Sequence, residues 1–190
     1  MIKANDTGTL RARNKFAHPV LLLVVLVGIE LSTRHHFAHW PPQGEVLRGW
    51  ARGASGDTAE GLSWIVDGIE EFRATGALRG LPFFLALKAE ALYLANRIFE
   101  ALEAIREAEG LAERFEERLW RSDLHRLRGV LLTAMGADET QIEASFCEAI
   151  RIAREQKSVS LEKRAEATYA EYRRQRANAS DGRGVRLALC

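Results

Sequence analysis

Residues 57–76, DTAEGLSWIVDGIEEFRATG, carry the reading that decides the fold. Leu62, Ile65, Val66, Ile69 and Phe72 recur at three- and four-residue steps and lay one apolar stripe along a helix. Asp57 or Thr58 can cap its start, and Gly76 supplies the left-handed residue that ends it. Outward from this stretch the chain is rich in Ala, Leu, Glu and Arg, all strong helix formers. Breakers at Gly53, Gly56, Gly76, Gly80, Pro82 and Gly136 separate the apolar-periodic runs. The pattern predicts helices over 45–53, 58–75, 82–95, 98–115, 119–135, 139–156 and 160–177. Pro82 opens the third, where a fixed φ and a missing N–H suit a first turn. No stretch in this region alternates long enough to argue for a strand.

The helices repeat. Small residues in the first helix of each pair, Gly49, Ala89 and Gly129, and the turn residues after them, Gly56, Asn96 and Gly136, both recur every 40 positions. Second helices align at Gly61, Ala101 and Ile142, then at Ile65, Ile105 and Phe146, then at Gly68, Ala108 and Ala149. A one-residue insertion in the third repeat accounts for the 41-residue step. Carried forward, the frame places a small residue at Ala170 in the seventh helix. Paired helices at a fixed period of 20–50 residues are the signature of an α-solenoid. The small positions have a physical reason, since two helices cross closely only where side chains are small. The expected fold is therefore all-α, about three and a half repeats of 40 residues. The expected repeat-signature positions are Gly49, Gly56, Gly61, Ala89, Asn96, Ala101, Ala108, Gly129, Gly136, Phe146, Ala149 and Ala170.

The small residue of helix A, the turn Gly or Asn seven later, and the small, apolar and Ala positions of helix B resemble the tetratricopeptide repeat. That repeat is usually shorter by six, and Gly61 and Ile142 depart from its preferred Ala. The strings ATGALRGLPFFLALKAEAL (74–92), SDLHRLRGVLL (122–132) and ASFCEAIRIAREQKSVSLEKRAE (144–166) are similar to the C-terminal helical repeats of large bacterial signalling proteins. Those proteins place a class III adenylate/guanylate cyclase or a winged-helix domain before a P-loop ATPase core. The resemblance covers about residues 45–176. It implies a regulatory setting and a chain that is detached or truncated. No Gly-x-x-x-x-Gly-Lys-Ser/Thr loop occurs here, so the ATPase phosphate cradle is not carried over.

The 190 residues carry a net charge of +1. That is ordinary for a soluble globular chain and excludes a wholly basic nucleic-acid binder. The charge is uneven: residues 1–44 and 157–190 have a basic excess, and the middle is acidic. Two cysteines, Cys147 and Cys190, are no disulfide framework and fit a reducing cytoplasm. Three segments follow: an atypical N-terminal segment (1–44, bounded near Pro41-Pro42), a tetratricopeptide-like domain (45–177) and a flexible tail (178–190).

Val20–Val27 is a run of aliphatic residues, extended by Gly28 and Ile29 before Glu30. It is too short to span a bilayer, and Ser32-Thr33-Arg34-His35 makes a poor cleavage site. A buried segment capping the array near Trp50 is the first reading; membrane contact through 20–31 is secondary. His35, His36 and His39 lack the companions of a metal site and read as exposed loop residues, so no metal or cofactor is expected. Ser122, Asp123 and His125 are a triad in composition only, because steps of one and two on a helix point apart. Glu90, Glu116, Glu117 and Asp123 read as a solvated face, and Cys147 as a buried or half-buried thiol. The four tryptophans read as packing, and Arg173, Arg174 and Arg176 as a basic helix end. The expected function is non-enzymatic: a cytoplasmic module that binds a protein or peptide and no nucleic acid. The alternatives are a cyclase- or ATPase-associated subunit, a membrane-tethered scaffold and a gene remnant.

Overall fold

The structure, a computed structural model, describes residues 40–187 and, before them, residues 26–28, 30, 31 and 34; side chains are described to residue 178. His35, His36, His39 and most of the aliphatic run lie outside the described residues. From residue 40 onward the described residues form seven helices in order: α1 (Trp40–Ala54), α2 (Thr58–Ala74), α3 (Leu81–Leu94), α4 (Ile98–Arg114), α5 (Arg121–Met135), α6 (Glu139–Glu155) and α7 (Val159–Leu187). Among the described residues there is no strand.

Most ends fall where capping chemistry places them. Asp57 accepts from the Glu60 backbone N–H and opens α2, and Asp138 does the same for Thr140 at α6. Two ends differ from expectation. Helix α1 starts five residues early and takes Pro41-Pro42 into its first turn, where prolines forfeit no helical hydrogen bond. The proposed boundary there therefore falls inside a helix. Helix α7 runs ten residues past 177, through the segment read as a tail.

The turns repeat with the helices. Positive φ occurs at Gly56, Asn96 and Gly136 after the first helices. It occurs again at Gly76, Glu116 and Lys157 after the second. The left-handed residue reverses the chain after each helix, and the spacing of these residues sets the period.

The chain divides into two compact units, Met1–Glu117 and Arg118–Cys190. In the first, α1 packs on α2 and α3 on α4, with α1 also beside α3. A Cβ at Gly49 would stand 2.5 Å from the Gly61 carbonyl oxygen, and one at Gly68 would stand 2.8 Å from that of Pro42. The two backbones thus nearly touch, and any side chain would separate them. The second pair closes on Ala89, Ala101 and Ala108, all at most 1% exposed. Helix α3 is apolar on nearly every side, as a helix enclosed by neighbours must be; Phe84, Leu85, Ala86 and Leu87 are buried in succession.

In the second unit α5 packs on α6, and α7 lies against both. Gly129 opens a slot that the Phe146 ring fills; a Cβ there would meet the ring at 2.7 Å. Tyr169 stacks on the other side of this cluster, its ring centroid 5.5 Å from that of Phe146. Ala170 is exposed, contrary to the frame's expectation of a close crossing, and the buried small residue of α7 is Ala165. The reason is topological. Gly129 faces its own second helix, and among the described residues no helix follows α7.

Candidate interaction surface

Each unit sets two first helices side by side, α1 with α3 and α5 with α7. In the first unit, Trp50 on α1 donates its indole N–H to Glu90 on α3 at 2.9 Å. Both are half-buried, as is Tyr93 one turn beyond Glu90. Glu90 was expected on a solvated face; the indole instead holds its carboxylate in place. On the neighbouring turn Arg48 lies 3.9 Å above the Trp64 ring, a cation–π contact.

The second unit holds a charged counterpart. Asp123 and Arg126, three apart on α5, form a buried pair, Nε to Oδ1 at 2.7 Å. Arg126 is 1% exposed, the largest fully buried side chain among the described residues. Arg164 reaches from α7 to the same Oδ1 at 3.4 Å and keeps 38% of its side chain exposed. Burial alone would raise the Asp123 pKa; the two guanidiniums outweigh it and hold the carboxyl below its ordinary value of 3.8. Asp123 is thus no part of a solvated acidic face. Removing such charges from water is costly, and only paired geometry sustains them. Arg126 gave no signal in the sequence as a site residue, because a helical Arg reads by default as surface.

The remaining expected residues are scattered. Ser122 is buried and donates to the Ala149 carbonyl at 2.8 Å. With Asp123 committed to arginines, Ser122, Asp123 and His125 form no relay. Glu117 accepts from the Gly80 N–H at 3.1 Å, and Glu116 is exposed. Cys147 is exposed rather than buried, since it lies one residue off the Phe146 stripe. Trp40 is 59% exposed and so is not core packing. Arg174 pairs with Glu171 and Arg176 with Glu139, while Arg173 lies 5.8 Å from the Tyr169 ring. Asn96, Gly56 and Gly136 shape turns, and Gly49, Gly61, Ala89, Ala101, Ala108, Gly129, Phe146 and Ala149 are all buried. Among the described residues no three His, Cys, Asp or Glu side chains are grouped as a metal site would need.

No family model matches the chain. Over 136 residues it is 30% identical to an uncharacterized protein of Rhizobium meliloti (strain 1021); the match spans 72% of this chain and 13% of that protein. Among solved structures it is similar to PlcR of Bacillus thuringiensis in complex with the peptide PapR7 and DNA. The TM-score is 0.62 at 19% identity, over 86% of this chain and 54% of that one. The apo form of RapI is similar at a TM-score of 0.57 and 14% identity, over 90% of this chain and 67% of that one. The fold is an all-α solenoid of tetratricopeptide-like helix pairs.

Proposed function

We propose that this chain is a protein-interaction module of regulatory type, and that its first helices hold a segment of a protein or peptide partner. One observation carries the reading: in each unit a polar contact between first helices one repeat apart holds a partly exposed side chain, Trp50 with Glu90 and Arg164 against the buried Asp123. Side chains already fixed lose little freedom when a partner arrives, which lowers the ordering cost of binding. PlcR, whose fold is shared, was solved with a peptide, and this supports a peptide as the class of partner. That structure also contains DNA. The reading for this chain stays with protein, because its net charge is +1 and the Arg174 and Arg176 side chains are engaged by acids. The role is non-catalytic, in keeping with Ser122 and Asp123 being committed to structural contacts.

We infer further that the module acts in trans on a bacterial signalling protein or corresponds to part of one. The match to a small share of a much longer relative supports only the correspondence to part of a larger protein; the signalling role rests on the sequence resemblance. A link to a cyclase or ATPase rests on the sequence resemblance alone.

Selection of a displayed random-peptide library on the folded full chain tests the reading. Selected peptides should lose roughly tenfold or more in affinity on Glu90→Lys or Arg164→Glu, a loss of about 1.4 kcal/mol or more. Arg106→Glu, an exposed change on α4, should leave affinity unchanged. Binding that ignores both first-helix variants, or that Arg106→Glu alone abolishes, would refute the assignment.

A further inference from the structure

On α3, Phe83, Ala86, Glu90 and Tyr93 recur at three- and four-residue steps and so share one side of the helix. Ala86 is buried, and Phe83, Glu90 and Tyr93 are half-buried. On α1, beside it, Trp50 is half-buried too and donates its indole N–H to Glu90 Oε2 at 2.9 Å. A carboxylate is thus fixed on a stripe that otherwise carries aromatic and apolar side chains. Partial burial of a charge is costly and is sustained only where polar groups meet it. The indole N–H orients the carboxylate without adding a charge. Lys88, two residues before Glu90, projects from the far side of α3.

This combination suits a basic side chain. A carboxylate accepts several hydrogen bonds at once. Its bonds to a guanidinium or ammonium group are the strong, charge-assisted kind, and aromatic faces attract the same cations. The unit makes that second contact within itself, where the Arg48 guanidinium lies 3.9 Å above the Trp64 ring. Its overall charge favours the same occupant. Residues 40–117 carry fourteen Asp and Glu against eight Lys and Arg. Of the basic groups, Arg52, Arg73, Arg97 and Arg106 are already held by acids of the unit. A segment bearing Arg or Lys is therefore attracted to this unit, and an acidic segment is repelled. We propose that the Trp50–Glu90 face of the first unit recognises a basic side chain, Arg or Lys, in the bound segment of a protein partner. The inference rests on the peptide-binding reading and names the chemistry which that site selects.

The composition and charge dependence of peptides selected from a displayed random library on the folded full chain test it. Arg and Lys should be enriched in the selected peptides at least about threefold over the starting library. Replacing the enriched Arg or Lys by Gln in a selected peptide should weaken its binding roughly tenfold. Glu90→Gln keeps an acceptor for the Trp50 indole. It should weaken the basic peptide by a similar factor and leave the Gln-bearing peptide within about twofold. If Glu90→Gln does not fold by circular dichroism, Trp50 emission serves instead, taken as the difference between wild type and Trp50→Phe. At a concentration between the two dissociation constants, the basic peptide should change that emission and the Gln-bearing peptide should not. Selected peptides that lose affinity on Glu90→Lys or Arg164→Glu but show an acidic or purely apolar excess overturn this inference and leave the peptide-binding reading standing. So do basic peptides whose affinity a folded Glu90→Gln leaves unchanged, or a Trp50 emission that the basic peptide does not move. A library that yields no binder overturns both.

Discussion

The indole N–H of Trp50 meets Glu90 at 2.9 Å, and the two residues stand 40 positions apart, one full repeat. Asp123 and Arg164 stand 41 apart, one repeat with the inserted residue. Each unit thus ties its two first helices together with a polar bond whose partners occupy equivalent places in successive repeats.

A double-mutant cycle on Trp50→Phe and Glu90→Gln should return a coupling of about 0.5–1.5 kcal/mol in urea denaturation. That is the size of a partly exposed hydrogen bond. Purely additive effects would show that the bond orders the side chains without stabilising the unit.

The glycines separate by what surrounds them. An added Cβ at Gly49 strikes the Gly61 carbonyl at 2.5 Å and the Ile65 backbone nitrogen at 2.9 Å, and neither can yield without parting α1 from α2. At Gly129 the obstacle is the Phe146 ring at 2.7 Å, which can tilt. At Gly110 nothing lies within 4 Å. Gly49→Ala should therefore cost at the upper end of the ~1–3 kcal/mol overpacking range, with Gly129→Ala below it and Gly129→Leu above Gly129→Ala. Gly110→Ala should stabilise by up to about 1 kcal/mol through helix propensity. Melting temperatures in any other order would contradict the crossing geometry.

Glu116 and Lys157 occupy the left-handed turn position at φ of 52° and 54°, both exposed. A residue with a Cβ loses ~1–2 kcal/mol there, against which glycine's greater entropy loss is set. Glu116→Gly and Lys157→Gly should each raise stability by about 0.5–1 kcal/mol. Asn96→Gly should change little, since Asn tolerates the conformation. A fall in the denaturation midpoint of both exposed variants would mean that these side chains contribute contacts outweighing the backbone strain.

How much of this was legible follows from what helical sequence encodes. Small residues at a close crossing and left-handed residues at a turn are chemically distinctive, so Gly49, Ala89, Gly129, Gly56, Asn96 and Gly136 stood out from spacing alone. Glu116 and Lys157 did not, because the backbone there is left-handed in spite of the side chain. Ala170 shows the limit of extrapolating a period: the residue recurs in frame, but its burial depends on a partner helix that the frame cannot supply. The charged face was hidden for a different reason. Asp123 and Arg126 sit three apart on a helix, where acid–base pairs are common on surfaces. Nothing in their local sequence separates a buried pair from an exposed one. Burial is decided by α6 and α7, which lie further along the chain.

That burial makes Asp123 the sharpest single test of the second unit. Asp123→Ala leaves the fully buried Arg126 without this carboxylate and should cost about 3–5 kcal/mol. Replacing both partners with apolar residues, as in D123L/R126M, should cost markedly less, because no fully buried charge then remains and Arg164, 38% exposed, can be solvated. The carboxyl is held below its ordinary value of 3.8, its burial outweighed by Arg126 and Arg164. Its ionised form is therefore favoured by folding. The associated stabilisation is full above the unfolded-state value and is lost as pH falls through the lower, folded-state value. The protection of amide hydrogens in α5 and α7, taken relative to the intrinsic exchange rate at each pH, should fall across that acid range. In D123L/R126M this acid-dependent component should be absent. An acid response in that variant equal to the wild type would place the pH sensitivity of the unit elsewhere and remove Asp123 as its electrostatic centre.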